Sequence, residues 1–447
     1  MEEYFKKIDA KHRIRDPLYG FILLTDAELK IIDSPIFQRL RRIHQLALTK
    51  YVYPSAEHSR FVHSIGVMHC ATLMLAGVMD HKHTQLNLEP SAKIIKTLRF
   101  AALLHDIGHL PFSHAVEKEW LQGLSHEDLS QYIINNYAGI SDVITSENIN
   151  PSVVAALLAK KPPAHYKLFH EIISGQLDAD RADYLLRDSH SCGVKYGEYD
   201  FARYLQIFAA REEDATGHFS LVVDEADLHV AESFLVSRYH YNLQIPYHRT
   251  RSGYDWVLRR FVQEMPNVLP LTIENGAIVF ADFERLATVD DYTIITAAKE
   301  SQSEWSDYIF RNEHLVPVID TTSSSSEGKF FFKALVRKLR DAPDFAEGED
   351  YFTQEQPVEI LKRGTEPDGS EAKAQNSPAE QYGKITLSTR EGKGRPERYV
   401  DITDRSWIFR QLADEPVHIF RVYVKPARHS DANKLLMGLE AEERGAK

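Results

Sequence analysis

With 447 residues and 51.2 kDa, the chain has room for two or three domains at about 150 residues each, one of them with a large core. Its composition is that of an ordinary globular protein, 43% hydrophobic, 26% charged and 11% aromatic, and no apolar run approaches the ~18 residues that would read as a membrane span. Two cysteines, Cys70 and Cys192, exclude a disulfide framework, and the start MEEYFKKIDAKHRIRD lacks the apolar stretch of a secretory signal, so a reducing cytoplasm is the expected setting. The net charge of −12 excludes a surface that coats nucleic acid generally. Basic residues cluster only locally, in KHRIR, QRLRRIHQ and HRTRSGYDWVLRR, which suits small anionic ligands and leaves a groove for DNA or RNA as the lesser expectation.

From about residue 25 to 262 apolar residues recur at three- and four-residue spacing, in AELKIIDSPIFQRLRRIHQL, SIGVMHCATLMLAGVMDH, SAKIIKTLRFAALLHDIG, HEDLSQYIINNY and DLHVAESFLVSRYHYNLQIPYHRTRSGYDWVLRRFVQEM. This predicts one large helical domain over 1–265, with a short hairpin near GHFSLVVDEADL at 217–228. After Pro266 the texture changes: LTIENGAIVF is apolar, 321–328 is Ser-rich, and YGKITLSTR and EPVHIFRVYVKP have the β-branched and aromatic content of strands. Residues 364–380, GTEPDGSEAKAQNSPAE, have the composition of a mobile loop. The expected fold is mainly α, a helical core with a smaller C-terminal α+β lobe over 266–447.

The chemistry concentrates at ALLHDIGHLPFSHAVE. A helix running to Gly108 would place His105, Asp106 and His109 in its last turn, where imidazolium also interacts well with the helix dipole. That explains one histidine but not His, Asp, His and then His114. An adjacent imidazole and carboxylate suit a divalent metal, provided partners come from elsewhere. His63, in EHSRFVHSIGV, is one candidate. In LDADRADYLLRDSHSCG, Asp180, Tyr184, Arg187 and Asp188 are spaced by four, seven and eight and share a helical face, which is either a site or a salt-bridged surface.

His63, His105-Asp106 and Asp180 match the H...HD...D pattern of HD-domain phosphohydrolases. Together DPLYGFI, IIDSPIFQRLRRIHQL, HSRFVHSIGV, LLHDIGHLPFSH, SHEDLS and DADRADYLLRD resemble the deoxynucleoside triphosphate triphosphohydrolase branch, which includes bacterial dGTPase-like enzymes and the vertebrate SAM-and-HD-domain enzyme. The resemblance is dense over 13–190, weaker to about 260, and resumes at HIFRVYVKP. The pattern starts almost at Met1, so no SAM-like domain is expected before it.

The resemblance implies a divalent metal held by His63, His105, Asp106 and Asp180. Two imidazoles and two carboxylates suit Mn, Mg, Fe, Co, Ni or Zn alike. It further implies catalytic roles for His114, Glu117 and His126, triphosphate contacts from Arg60, His109 and Arg181, and sugar contacts from Gln45, Tyr184 and Asp188. Ser125 and Asp128 form an S-x-x-D capping box that would put His126 on the first turn of a helix, near the positive end of its dipole. Asp33, Gln38 and Arg41 match positions that recognise a guanine nucleotide in the vertebrate enzyme, although the same block also packs the fold.

By the same resemblance the chain is a dNTP triphosphohydrolase that releases nucleoside and triphosphate, with a nucleotide activator and a homo-oligomeric state of dimer, tetramer or hexamer, serving dNTP-pool control or antiviral defence. The alternative is an HD phosphohydrolase acting on nucleoside monophosphates, cyclic nucleotides or nucleic-acid ends. One departure bears on the pocket. Arg238 and the His248-Arg249 pair match the family helix, but Asn242 stands where a His is expected and Pro246 where a Tyr is expected, with Tyr247 one residue further on.

Overall fold

A computed structural model describes all residues except 1, 87–89, 214–216, 266–267, 311–312, 324–325, 359–360, 362–383, 390–397, 415–416 and 447. The loop expected at 364–380 lies outside the described residues.

The chain opens with an antiparallel hairpin, β1 (His12–Asp16) and β2 (Gly20–Leu24), followed by α1 (Asp26–Ile32), whose Thr25/Glu28 capping box fixes its start. The central helices are α2 (Arg60–Asp80), α3 (Ala92–Leu104), α4 (His126–Asn136), α5 (Lys167–Ser174) and α6 (Ala179–Cys192). α2 packs against both α3 and α6, so the ends of three helices meet. It is also long and apolar enough to cross a bilayer, which corrects the expectation that no such run exists; here that length is a core helix, mostly buried. His63, Ser64 and His69 interrupt its apolar text and hide the run from a reading of composition alone.

The core continues through α7 (Leu228–Gln244) and α8 (Arg249–Gln263). α7 stops just before Pro246, as a residue without an N–H should cause. The hairpin near 217–228 is β3 (Phe208–Glu212) with β4 (Phe219–Asp224), its first strand lying further upstream than the sequence suggested.

Beyond these come the hairpin β5 (Leu271–Glu274) and β6 (Ala277–Ala281), helix α9 (Asp291–Glu300), β7 (Val316–Ser323), α10 (Ser326–Asp341), β8 (Tyr351–Pro357), β9 (Thr386–Thr389), β10 (Arg398–Asp401), β11 (His418–Val424) and α11 (His429–Ala446). β11 lies between β7 and β8, antiparallel to both, and α10 and α11 cover that sheet with a small core of their own. β9 runs parallel to β4 and extends the β3–β4 hairpin into a four-stranded sheet ordered β10-β9-β4-β3. The main core accordingly includes Leu286, Ile294, Trp305, Leu387, Phe409 and Tyr423 from the C-terminal third.

Candidate metal centre and phosphate site

α3 ends at Leu104, four residues short of the expected stop at Gly108, and His105 is its C-cap. The backbone then turns tightly: Ile107 N–H donates to Leu104 O at 3.2 Å and His109 N–H to Asp106 O at 3.1 Å. Gly108 serves here for close approach rather than for a left-handed cap, because a Cβ there would meet His126 O at 2.3 Å and Ser130 N at 2.5 Å. The turn therefore presses against the N-terminus of α4.

His63 from α2, His105 and Asp106 from this turn, and Asp180 from the first turn of α6 converge. The His63 ring lies 5.1 Å from that of His105. His63 Nε2 is 3.0 Å from Asp180 Oδ1 and 3.7 Å from Asp106 Oδ2, and His105 Nε2 is 3.2 Å from Asp106 Oδ1 and 3.7 Å from Asp180 Oδ1. One atom each from His63, His105 and Asp106 falls within 4.8 Å of the others, a spread that one ion can bridge.

Both imidazoles are oriented for that task. His63 Nδ1 donates to Asp183 Oδ2 at 2.8 Å and His105 Nδ1 to Ala102 O at 2.9 Å, so each turns Nε2 inward. The His105 Nε2 atom is buried without a hydrogen-bond partner. Such outer partners fix the tautomer of a metal-binding histidine. The field selects a cation: burial would depress His63, but Asp180 and Asp183 outweigh it and raise its pKa to about 10. The chemistry of two neutral imidazoles and two carboxylates fits a divalent ion.

Around this centre Arg60 donates to Asp106 and, through Nε, to Ser113 Oγ at 2.8 Å. His109 Nε2 is 3.2 Å from Asp106 Oδ1, and burial with the nearby Arg60 and His126 holds His109 well below its usual pKa. Its ring stacks on His126 at 3.7 Å. Glu117 braces two histidines: His114 Nδ1 and His126 Nδ1 each lie 3.1 Å from its Oε2, and His126 N–H donates to Oε1 at 3.0 Å. Burial opposes the ionised form of Glu117, but His114 and His126 keep it well below the carboxylate range, and Glu117 in turn raises His126. His126 opens α4 as expected, with Asp128 accepting from both Ser125 N and Ser125 Oγ at 2.9 Å.

The expected sugar contacts also gather. Asp188 is fully buried and accepts from His58 Nε2 at 2.7 Å and from the Tyr241 hydroxyl. The rings of Tyr184 and Tyr241 are 5.3 Å apart. Gln45 N–H donates to His58 O at 3.0 Å, and Gln45 Oε1 is a buried acceptor without a partner. Arg238 is buried close to Tyr184, but Arg181 turns its guanidinium to Asp178 and, at 2.8 Å, to Gly175 O. The face of α6 read as either a site or a salt-bridged surface is thus turned inward, and of its four residues Arg187 is held by two hydrogen bonds to Asp183. Asn242 is buried, and Arg421 donates to Tyr247 O at 2.7 Å. Asp33, Gln38 and Arg41 lie on or near the surface, with Arg41 Nε donating to Gln38 Oε1 at 2.8 Å and stacked over Phe61.

Sequence reasoning missed Asp183, His58 and Tyr241. An i, i+4 Asp183–Arg187 pair was a local signal for the first; His58 and Tyr241 carry none, since only the fold brings them to Asp188.

Residues 60–188 match the HD domain model. The chain is 33% identical over 258 residues to the protein named uncharacterized protein YwfO of Bacillus subtilis, covering 57% of this chain and 56% of that protein. It is 31% identical over 240 residues to human deoxynucleoside triphosphate triphosphohydrolase SAMHD1, covering 46% of this chain and 37% of that protein. The chain therefore spans about half or less of the length of these curated relatives. A solved structure of a hypothetical protein from Aquifex aeolicus superposes with a TM-score of 0.74 at 26% identity, over 95% of this chain and 99% of that one.

Proposed function

We propose, from the match of residues 60–188 to the HD domain model, that the chain is a metal-dependent hydrolase of deoxynucleoside triphosphates, cleaving at the α-phosphorus to give nucleoside and triphosphate. The observation that carries this is the convergence of His63, His105, Asp106 and Asp180 beside a Glu117-braced histidine pair. The name of the human relative supports the substrate.

His63, His105, Asp106 and Asp180 would hold the ion, and an ion there supplies Lewis acidity toward a phosphate oxygen and lowers the pKa of water. The chain's own groups do the rest. Arg60 adds positive charge beside the site, and its planar fork suits phosphate oxygens. Water oxygen joins the α-phosphorus and sheds a proton to solvent, the bond from phosphorus to the 5′-oxygen breaks, and the His114–Glu117–His126 unit delivers a proton to the departing alkoxide. Glu117 shifts His126 toward its protonated form, the form a general acid needs. Tyr184 and Tyr241 wall the sugar, and Asp188, with lone pairs beyond those taken by His58 and Tyr241, can accept from a 3′-hydroxyl.

Incubation of each dNTP with Mn or Mg and chromatography of the products tests this. In ¹⁸O-water the label should enter triphosphate and not nucleoside, and stepwise orthophosphate would sink the reading. A second reading, hydrolysis of smaller phosphate esters such as nucleoside monophosphates, is favoured by Arg181, whose guanidinium is spent on Asp178. Tyr184→Ala bears on the sugar: it should raise rNTP relative to dNTP turnover, because the lost ring leaves room for a 2′-hydroxyl. An unchanged ratio in Tyr184→Ala and in Tyr247→Ala would place sugar recognition elsewhere.

A further inference from the structure

We propose that Asp291, at the start of α9, is a positioning residue for the catalytic loop that carries His114. The proposal rests on the phosphohydrolase reading and adds to it a residue 177 positions away from that histidine in sequence.

Asp291 is buried, and its two carboxylate oxygens divide their work. Oδ1 accepts from Phe112 N–H at 2.8 Å. Oδ2 accepts from His44 N–H at 2.8 Å and lies 2.6 Å from His44 Nδ1. Three donors therefore fix the orientation of one carboxylate, and a buried carboxylate satisfied in this way is a rigid anchor.

What it anchors is a costly turn. Phe112 and Ser113 both have φ of 54°, a left-handed conformation that two consecutive non-glycine residues hold only where their surroundings impose it. From outside the turn it is held by Asp291 at the Phe112 amide, Arg60 Nε at Ser113 Oγ (2.8 Å), and Arg259 Nε at Ala115 O (3.0 Å). His114 lies inside this clamp. Its side chain is 66% exposed, so little packing holds it, and its approach to Glu117 depends on the backbone beneath it. A group so placed loses its catalytic geometry when the backbone relaxes, and a shift of about 1 Å can cost on the order of 100-fold in rate.

The neighbouring Asp290 acts differently. It caps α9 by accepting from Thr293 N at 3.1 Å and pairs with Arg42, without reaching the loop. It therefore serves as the control: Asp290→Ala disturbs the same helix start but spares the loop.

The test uses the full chain with Mn, hydrolysing bis(p-nitrophenyl) phosphate as well as dNTPs, alongside hydrogen exchange of peptides covering 109–117. Asp291→Ala should speed exchange across 110–115 and lower kcat by about 10- to 100-fold, with KM and bound metal each within about twofold. In a His114→Ala background the same change should cost less than about twofold, because its effect runs through that histidine. Asp291→Asn, which keeps an acceptor for Phe112, should retain more activity than Asp291→Ala and supplies the cycle if the alanine variant does not fold. Equal losses with and without His114, unchanged exchange at 110–115, or an equal kcat loss in Asp290→Ala would overturn the proposal. If the wild-type chain cleaves no dNTP, the exchange arm and the generic ester still decide it, so failure of the substrate reading is separately visible.

Discussion

Asp183 is not one of the four residues placed to hold the metal, yet its carboxylate determines what His63 can do. It accepts from His63 Nδ1 and is gripped by Arg187 through Nε at 2.8 Å and Nη2 at 2.9 Å, while Arg187 Nη1 reaches Asp16 at 2.9 Å. Asp16 in turn accepts from Leu18 and Tyr19 amides, so a relay of buried charges runs from the β1–β2 turn to the metal centre. Asp183→Ala should weaken metal binding by about 10- to 100-fold in equilibrium dialysis. It should also cost roughly 3–5 kcal/mol in denaturant unfolding, because Arg187 would be left buried beside an empty space. Asp183→Asn should recover most of the stability but not the metal affinity.

A second side chain yields a pH prediction. Glu171 on α5 is partly buried against β4, accepts from Leu221 N–H at 2.6 Å, and has its pKa pushed up by burial to about 7. Its folded value lies above the unfolded one, so the unfolded chain loses the proton first and stability falls as pH rises from about 4.5 to 7. The full displacement corresponds to about 3 kcal/mol; residual solvent access reduces the expected effect to roughly 1–2 kcal/mol. Glu171→Gln should flatten the dependence of Tm on pH across that window, and an equally steep dependence in the variant would refute the assignment. His105 and Asp106 stood out in the sequence because an adjacent imidazole and carboxylate are a metal-donor pair, whereas His63 and Asp180, far off along the chain, were named through the family pattern. Glu171 was legible in neither way, since only β4 makes its surroundings apolar.

The helices were legible from their periodicity, and their ends were less so. α3 stops at Leu104 because Ser130 on α4 donates to His105 O at 3.1 Å and accepts from Gly108 N–H at 2.9 Å, and no pattern within α3 reveals this. The same contact makes Gly108 irreplaceable. In Gly108→Ala the new methyl would strike backbone atoms of α4 that cannot swing aside, so α4 must shift and carry His126 with it. A loss of roughly 1–3 kcal/mol in unfolding free energy is expected. It should be accompanied by a fall in kcat that exceeds the fall in metal content, because the methyl strikes α4, which carries His126 but none of the four ligands. Proportional losses of the two would show that the turn as a whole had collapsed. Pro246 worked in the opposite direction: it marked the end of α7 correctly, because the absence of an N–H acts locally.

At the scale of the molecule, the change of texture near residue 265 is real but the core crosses it. β9 pairs with β4, and Leu286, Ile294 and Tyr423 join the main apolar cluster. The division into 1–265 and 266–447 is a proposal about organisation, and within it the first part is not expected to stand alone. A chain ending at 265 should lack a cooperative thermal transition and the near-UV signal of fixed aromatic packing; a sharp transition with metal bound would show instead that it is autonomous. Parallel pairing across more than 160 residues leaves no trace in either strand's own sequence, which is why that connection was not foreseen.

The distance between Asp180 and Asp291 along the chain gives synthesis an order. All four ligands have been made once residue 180 has been added, whereas the carboxylate that clamps the His114 loop comes 111 residues later. At 5–20 residues per second that gap lasts roughly 5–20 s. During it the metal donors exist without the residue that clamps the His114 loop, so competence waits on chain made after residue 291. Under the proposed reading, a newly made chain would thus carry its metal donors before it gained the clamp that readies its acid–base pair.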